Sequence, residues 1–165
     1  MSTLRETFID TLQDTYDAEH QIVKALPQVI DAVEHKELKS ALAAHLDETR
    51  GHVERLGKVF ELFDESPRRK KCKGMEGLLA EGEELIDEDL GDAALIAAAQ
   101  KVEHYEIAAY GALASWAKLM EKDEAVDLLE ETLNEEKKAD DKLTKVAEKT
   151  INTEQQEEEE EEESA

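Results

Sequence analysis

Aromatic residues are scarce in this chain, which has one Trp, three Tyr and three Phe among its 165 residues. A core of ordinary size must therefore be built from Leu, Ile, Val and Ala. Pro occurs twice and Gly seven times, so few positions would interrupt a regular helix. Because Ala, Glu, Leu and Lys are abundant as well, the composition predicts one all-α domain.

Cysteine and long apolar runs are also nearly missing. The one cysteine, Cys72, excludes a disulfide within the chain and is typical of a reducing compartment. No apolar run approaches the roughly 18 residues of a membrane-spanning helix, and the N-terminus lacks the apolar core of a signal peptide. We therefore expect a cytoplasmic protein with no membrane partner.

Basic residues are outnumbered, since 20 Lys and Arg face 43 Asp and Glu and leave a formal net charge of −23. Such self-repulsion requires screening by salt or by bound cations. It argues against nucleic acid as a partner and is typical of halophilic proteins. The one basic cluster, "RRKKCKG" at 68–74, is interpreted as a solvated loop, although it could also bind an anion or activate Cys72 by lowering its pKa.

Four long segments carry apolar residues at alternating steps of three and four, the spacing of bundle helices. The pattern predicts helices over residues 3–33, 36–63, 92–120 and 123–150. Pro27 should kink the first helix without ending it. A connector of roughly 30 residues, with a short helix around 75–86, is long enough to cross the bundle, so the third helix can run parallel to the second.

The last residues form a nearly pure run of glutamate. Like charges repel and nothing in the run can be buried, so residues 151–165 are predicted to form a disordered acidic tail. The bundle domain is accordingly expected to span residues 1–150.

Glutamates occupy mid-helix positions on three of the apolar stripes: Glu19, Glu106 and Glu136. A buried carboxylate is costly unless it is protonated, paired or bound to a cation. Each of the three alone is explained as well by a core-edge glutamate, whose head reaches solvent or a lysine, as by a metal ligand. Together they favour a shared metal site between the helices.

Further candidate ligands lie close to these positions: Glu48, Glu103, Glu135, His45 and His52. Carboxylates with imidazoles in a helical interior are typical of sites for two iron or manganese ions, with zinc possible. Three alternatives stay open. Glu48 lies at the border of its stripe and can equally be solvated. Glu135 and Glu136 compete for one role, and histidines at such positions are often ordinary core residues.

Two helical hairpins in the chain resemble each other and pair Glu19 with Glu106 and Glu48 with Glu135. Similarity to known proteins is carried by "LQDTYDAEHQIVKALP", "HLDETRGHVERLGKVFELF", "AAAQKVEHYEIAAYGALASWAKLM" and "LLEETLNEEKKADDKL". These stretches resemble the ferritin-like superfamily and, more narrowly, its YciE/YciF stress-protein family (DUF892). The resemblance implies an antiparallel four-helix bundle with one long crossover, a homodimer and a dinuclear metal site.

The resemblance also implies which residues bind the metals. Glu19 and Glu106 match the glutamates of the first and third helices, and Glu103 resembles the extra third-helix glutamate of rubrerythrin-type sites. The Glu-x-x-His motif of the second and fourth helices is missing, because Gly51 stands three residues after Glu48 and the fourth helix has no histidine. The nitrogen ligands are therefore open between His45 and His52.

Two functions follow as expectations. The first is redox chemistry, in which reduced metal ions react with peroxide or oxygen while carboxylates hold and bridge them. The second is a non-enzymatic acidic stress protein that acts by dimerisation or partner binding, with a structural or vestigial metal site.

Overall fold

The computed structural model describes the backbone of residues 1–163 and the side chains of residues 1–157, so that Ser164 and Ala165 of the predicted tail lie outside it. Within this range the chain forms helices and no strand, which confirms the all-α prediction. None of the described helices combines the length and hydropathy that crossing a bilayer would take. The elements are α1 (Leu4–Ala32), α2 (Lys36–Leu62), α3 (Lys73–Asp87), α4 (Gly91–Leu119), α5 (Asp123–Val146), a π-helical turn (Ala147–Ile151) and α6 (Asn152–Glu163).

Helices α1, α2, α4 and α5 form the predicted four-helix bundle. α1 packs against α2 and α4, and α5 packs against the same two helices, so α2 and α4 lie on a diagonal. The backbone N–H of His35, at the start of α2, donates to the Asp92 carboxylate at the start of α4 over 2.7 Å. The two diagonal helices therefore begin at the same end and run parallel, as the long crossover predicted.

α1 begins at a capping box. The Thr3 hydroxyl accepts the Glu6 backbone N–H at 3.2 Å, and the Glu6 carboxylate accepts the Thr3 N–H at 2.8 Å. These two bonds satisfy donors that a helix start would otherwise leave free. The helix then continues through Pro27 to Ala32, so proline does not end it, in agreement with the sequence pattern.

The crossover between α2 and α4 is fastened to α1 by Asp17. Its carboxylate accepts the Cys72 backbone N–H at 2.8 Å and the Arg69 guanidinium at 2.8 Å. The Cys72 sulfur then accepts the Met75 N–H and so caps α3. Cys72 is completely buried, and burial raises the pKa of its thiol. The alternative that the basic cluster activates Cys72 is therefore wrong.

The described part of the predicted disordered tail (151–165), residues 151–163, differs from that prediction. The described backbone stays helical to Glu163, and Ile151 is only 4% exposed. Gln155 bonds to the start of α4, accepting the Ala93 N–H at 3.2 Å and donating to the Leu90 carbonyl at 3.1 Å. Apolar burial and these hydrogen bonds attach the chain beyond residue 150 to the bundle, which a charge-based prediction could not foresee.

Two apolar clusters fill the bundle and leave a polar layer between them. One cluster includes Ile22, Leu42 and Val102. The other includes Phe8 and Phe60. The layer between them holds the candidate metal ligands, which are thus separated from solvent at both ends of the bundle.

Candidate metal centre

All four bundle helices contribute to the polar layer. The side chains of this central cluster have fractional exposures between 0% and 7%: Glu19, His45, His52, Glu103, Glu106 and Glu136. Their positions follow from helical geometry. His45 and His52 are seven residues apart, about two turns, and therefore project from one face of α2. Glu103 and Glu106 are three residues apart, about one turn, and are therefore neighbours on one face of α4.

Glu136 of α5 stands between the two imidazoles. Its Oε1 atom lies 2.8 Å from His52 Nδ1, and its Oε2 atom lies 3.8 Å from His45 Nε2. The opposite helices complete the arrangement, since Glu103 Oε1 is 3.0 Å from His45 Nε2 and Glu19 Oε1 is 3.4 Å from His52 Nδ1. One carboxylate thus faces both imidazoles, and each imidazole faces a second carboxylate.

Many of the inward atoms have no hydrogen-bond partner. Both carboxylate oxygens of Glu106 and both of Glu136 are buried without a hydrogen-bond partner. The same holds for Glu19 Oε2 and Glu103 Oε2. His45 Nε2 and His52 Nδ1 also lack hydrogen-bond geometry despite the short distances. Leaving so many buried polar atoms unsatisfied costs about 1–3 kcal/mol for each neutral group and more for a charge. A bound cation satisfies them together.

The donor atoms form two groups of the size that metal ions require. One group is His45, Glu103, Glu106 and Glu136, and the other is Glu19, His52 and Glu136. Within each group the atoms lie within 4.8 Å of one another. Ligands about 2.1 Å from a small divalent ion stand about 3 Å apart in an octahedron, so small shifts would complete either group. The buried cluster can therefore hold metal ions, and Glu136 belongs to both groups.

Two other predicted ligands lie outside this cluster, on the far nitrogens of the histidines. Glu48 Oε2 is 3.5 Å from His45 Nδ1, and Glu135 Oε2 is 2.8 Å from His52 Nε2. Their side chains are 49% and 25% exposed. A carboxylate on the outer nitrogen orients a histidine and makes its inner nitrogen a better ligand. Both histidines have this arrangement.

Sequence reasoning missed Arg55, which holds Glu135 in place. Its two terminal nitrogens donate to the two Glu135 oxygens at 2.8 and 2.9 Å. Burial opposes ionisation of Glu135, but the hydrogen bonds from Arg55 and His52 outweigh it and lower the pKa of this carboxyl. The available signal was the spacing, since Arg55 stands one turn after His52 and on the same side of α2.

Protonation states in the cluster are set by burial and mutual repulsion. Burial and the charges of Glu19 and Glu136 raise the pKa of Glu106. Burial, together with the nearby Glu103 carboxylate, raises the pKa of Glu136 to about 8. Burial lowers the pKa of His52, but the nearby carboxylates of Glu136 and Glu19 outweigh burial and raise the value to about 10. Without a metal the cluster therefore retains protons at neutral pH.

Tyr110 adds a fixed donor to the cluster. Its hydroxyl donates a short hydrogen bond to Glu19 Oε1. Burial and the neighbouring carboxylates raise the pKa of Tyr110, so the phenol stays protonated and keeps donating. The bond leaves Glu19 Oε2 without a hydrogen-bond partner in the cluster interior.

A polar cavity reaches the cluster from the α2–α5 side of the bundle. It has a volume of about 270 Å³ and is lined by residues including Glu48, Glu135, Lys138, His45 and Glu103. Water-sized molecules need only about 10–15 Å³ each. Ions and small polar molecules therefore have a route to His45 and Glu103.

Comparison with known proteins agrees with the fold. The family described as "Domain of unknown function (DUF892)" matches residues 3–156, nearly the whole chain. The chain belongs to the DUF892 family. A curated DUF892 relative, Protein YciF of Escherichia coli (strain K12), is 46% identical over 157 residues, covering 92% of this chain and 95% of the relative.

Solved structures of similar proteins share this architecture. The crystal structure of the E. coli stress protein YciF has a TM-score of 0.87 at 46% identity, with 92% of this chain and 99% of that chain covered. YcfI of Rhodopseudomonas palustris gives 0.84 at 41% identity, with 87% and 94% covered. A Xanthomonas campestris pv. campestris protein at 22% identity, covering 95% and 99%, gives 0.75 and supports the fold alone.

The eight ligands predicted from the sequence of this DUF892 chain divide into a buried cluster and an outer pair. Six of them converge in the buried cluster, including both histidines, which sequence spacing left open. Glu48 and Glu135 face the outer nitrogens instead. All cluster nitrogens come from α2, in keeping with the missing Glu-x-x-His motif.

Proposed function

We propose that this chain binds two iron or manganese ions in the central cluster and uses them for redox chemistry with hydrogen peroxide or dioxygen. The observation that carries the proposal is the set of unsatisfied inward atoms around Glu136. Four buried glutamates, Glu19, Glu103, Glu106 and Glu136, carry four negative charges when ionised. Two divalent ions carry four positive charges, so the loaded cluster would be neutral with both histidines uncharged.

The donor types support iron or manganese. The cluster offers carboxylate oxygens and imidazole nitrogens, while Cys72 lies outside it in the crossover. Such oxygen-rich sets with some nitrogen suit iron and manganese, and zinc is accepted as well. His45, Glu103 and Glu106 would hold one ion, and Glu19 and His52 would hold the other, while Glu136 belongs to both donor groups.

The residues around the ions would set their reactivity. Reduced ions held there would supply the two electrons that, with two protons, convert hydrogen peroxide into two molecules of water. Bulk water is kept away from Glu19, His52 and Glu136, which are fully buried. Glu48 and Glu135 hold the histidines in orientation, and the polar cavity admits the peroxide. A response to stress agrees with the description of the E. coli relative as a stress protein.

Metal analysis of protein purified without chelators tests the proposal. We expect about two ions of iron or manganese per chain, in line with two-metal carboxylate sites. The double variant Glu19→Ala, Glu106→Ala should lose this metal, whereas Glu130→Ala, which removes an exposed carboxylate of α5, should retain it. Equal metal content in all three proteins would contradict the proposal. Consumption of peroxide by the loaded protein then measures turnover.

A second candidate function is a non-enzymatic acidic stress protein whose cluster is structural. It is favoured by the raised pKa of His52, about 10, and of Glu136, about 8, because retained protons can replace metal charge in the folded protein. Such a protein would act through dimerisation or a protein partner. Metal that binds without peroxide consumption above background, together with a dimeric mass in light scattering, would favour this function.

A further inference from the structure

A second cavity reaches the same centre from the other side of the bundle. It lies between α1, α3 and α4, has a volume of about 60 Å³ and is walled mainly by aliphatic side chains. These include Ile22, Leu26, Val29, Leu79, Leu95 and Val102. His45 and Glu103 stand at its inner end and also line the polar cavity. Two cavities of opposite character therefore approach one pair of candidate ligands.

The size of the apolar cavity limits what it can hold. About 10–15 Å³ is enough for one water molecule, whereas a cavity of about 150 Å³ takes benzene. The apolar cavity, at about 60 Å³, lies between the two. A diatomic molecule or a xenon atom fits, and an aromatic ring or a long acyl chain does not.

The lining decides between an apolar and a polar occupant. A buried water needs two to four polar partners, and hydrogen peroxide has the same requirement because it offers two hydroxyl groups. Polar side chains in the wall are confined to its ends, with Gln28 and Glu83 outside and His45 and Glu103 inside. The aliphatic stretch between them offers no hydrogen bond. An apolar molecule therefore enters at a lower cost in free energy than a polar one, which would give up its hydrogen bonds to water.

We propose that the apolar cavity holds dioxygen and delivers it to the metal centre at His45 and Glu103. The delivery rests on the proposed two-metal function, but the binding of small apolar molecules does not. With two reduced ions bound, dioxygen takes one electron from each ion and two protons from water and leaves as hydrogen peroxide with its O–O bond kept. Peroxide itself reaches the centre through the polar cavity.

Xenon binding to the metal-free protein tests the cavity without any activity. Xenon is apolar and occupies cavities of this kind. We expect methyl chemical shifts of Ile22, Leu26 and Val102 to change under xenon, while Leu113 and Leu129 in the other apolar cluster stay unchanged. Unchanged shifts at all five residues would overturn the proposal whether or not the protein binds metal.

Two variants that fill the apolar cavity and one matched control test whether xenon binds there. Ala99→Leu fills the cavity from α4, and Ala25→Leu fills it from α1 should the first variant fail to fold. Ala139→Leu is the control, because Ala139 is a partly buried alanine that lines the polar cavity instead. Xenon shifts should vanish in a filling variant and persist in the control. Shifts that persist in both filling variants would contradict the assignment.

Iron-loaded protein tests delivery. A filling variant should lower the rate of ferrous oxidation by dioxygen several-fold and leave the rate with hydrogen peroxide unchanged, whereas Ala139→Leu should retain the dioxygen rate. An unchanged dioxygen rate, or an equal loss with both oxidants, would overturn delivery. Iron binding without xenon binding would disprove this inference alone, and xenon binding without iron would disprove the proposed function and delivery with it.

Discussion

The Nε2 atom of His52 lies 2.8 Å from Glu135 Oε2, which leaves Nδ1 as the nitrogen that faces the centre of the bundle. A histidine has two possible ligand nitrogens, and the partner of one decides which of them is free. Because Glu135 is itself held by a guanidinium, this orientation is fixed before a metal arrives.

Removing the Glu135 carboxylate should weaken metal binding without removing a ligand. We expect Glu135→Ala to lower the affinity for metal by about 10–100-fold, as loss of an outer partner does elsewhere, while stoichiometry stays unchanged. Titration of metal-free protein with manganese measures both quantities. Glu130→Ala, an exposed carboxylate on the same helix, should bind as the unaltered chain does. A lower stoichiometry in Glu135→Ala would instead make Glu135 a ligand.

The metal-free protein should lose stability as pH rises. The pKa of Glu136 is raised from 4.5 to about 8, and that of His52 from 6.5 to about 10. Both groups bind protons more tightly in the folded state, so their contribution is complete at low pH. It disappears between pH 4.5 and about 8 for Glu136 and between 6.5 and about 10 for His52.

Urea unfolding over this pH range, with chelator and in about 1 M salt to screen the surface charge, checks the expectation. Glu136→Gln should flatten the plot of unfolding free energy against pH between pH 4.5 and about 8. Manganese-loaded protein should not show the same decline, because metal replaces the protons and competes better as pH rises. A metal-free curve that is flat from pH 5 to 9 would contradict the assigned pKa shifts.

Tyr110→Phe should destabilise the fold through one hydrogen bond. The phenylalanine ring keeps the packing of this fully buried residue but leaves Glu19 Oε1 without its donor. We expect the free energy of unfolding of metal-free protein to fall by about 1–3 kcal/mol. Tyr16→Phe is the control, because the Tyr16 ring packs edge-on against Phe60 at the border of the core. An equal loss in both variants would contradict the role of the Tyr110 hydroxyl.

Asp17→Asn should loosen the crossover. The carboxylate receives the Cys72 N–H and the Arg69 guanidinium, and hydrogen bonds to a charged group contribute about 1.5–3 kcal/mol each. Asp10→Asn removes an exposed partner of Lys70 in the same crossover and should cost less than about 1 kcal/mol. Thermal unfolding at neutral pH compares the two, and equal effects would contradict the fastening role of Asp17.

Acid should reproduce the Asp17 effect in the unaltered chain. Burial opposes ionisation of this carboxyl, but its bonds with Cys72, Gln21 and Arg69 outweigh burial and lower its pKa below 3.8. A lowered folded pKa gives stability that is complete above pH 3.8 and disappears as pH falls further. The stability difference between the unaltered chain and Asp17→Asn should therefore shrink below pH 3.8.

The sequence predicted the helices and three central ligands because both follow from periodicity. The predicted second helix, residues 36–63, ends within one residue of the observed α2 (Lys36–Leu62). Glu19, Glu106 and Glu136 interrupt apolar stripes, so their burial could be read from spacing alone. Glu135 differs from Glu136 by only about 100° around the helix, too little for a pattern to decide which one enters the core.

The remaining features depend on contacts between distant segments. The internal similarity paired Glu48 with Glu135, and both indeed lie on outer histidine nitrogens, but no spacing shows which nitrogen each one faces. Arg55 reaches Glu135 across 80 residues of sequence. For the contacts of Asp17, the sequence shows only an acidic helix and a basic crossover. Such pairings require the packed bundle.

The two imidazoles of the cluster stand seven residues apart on α2, while the other three bundle helices contribute carboxylates only. The nitrogen donors and most of the carboxylate donors of the cluster thus come from separate segments of the chain. With metal bound as proposed, substitution of His45 and His52 would shift the preference of the cluster towards harder ions such as magnesium or calcium without altering the acidic helices. Under the proposed function, relatives that differ only in residues 45–52 would diverge in metal preference while retaining one scaffold.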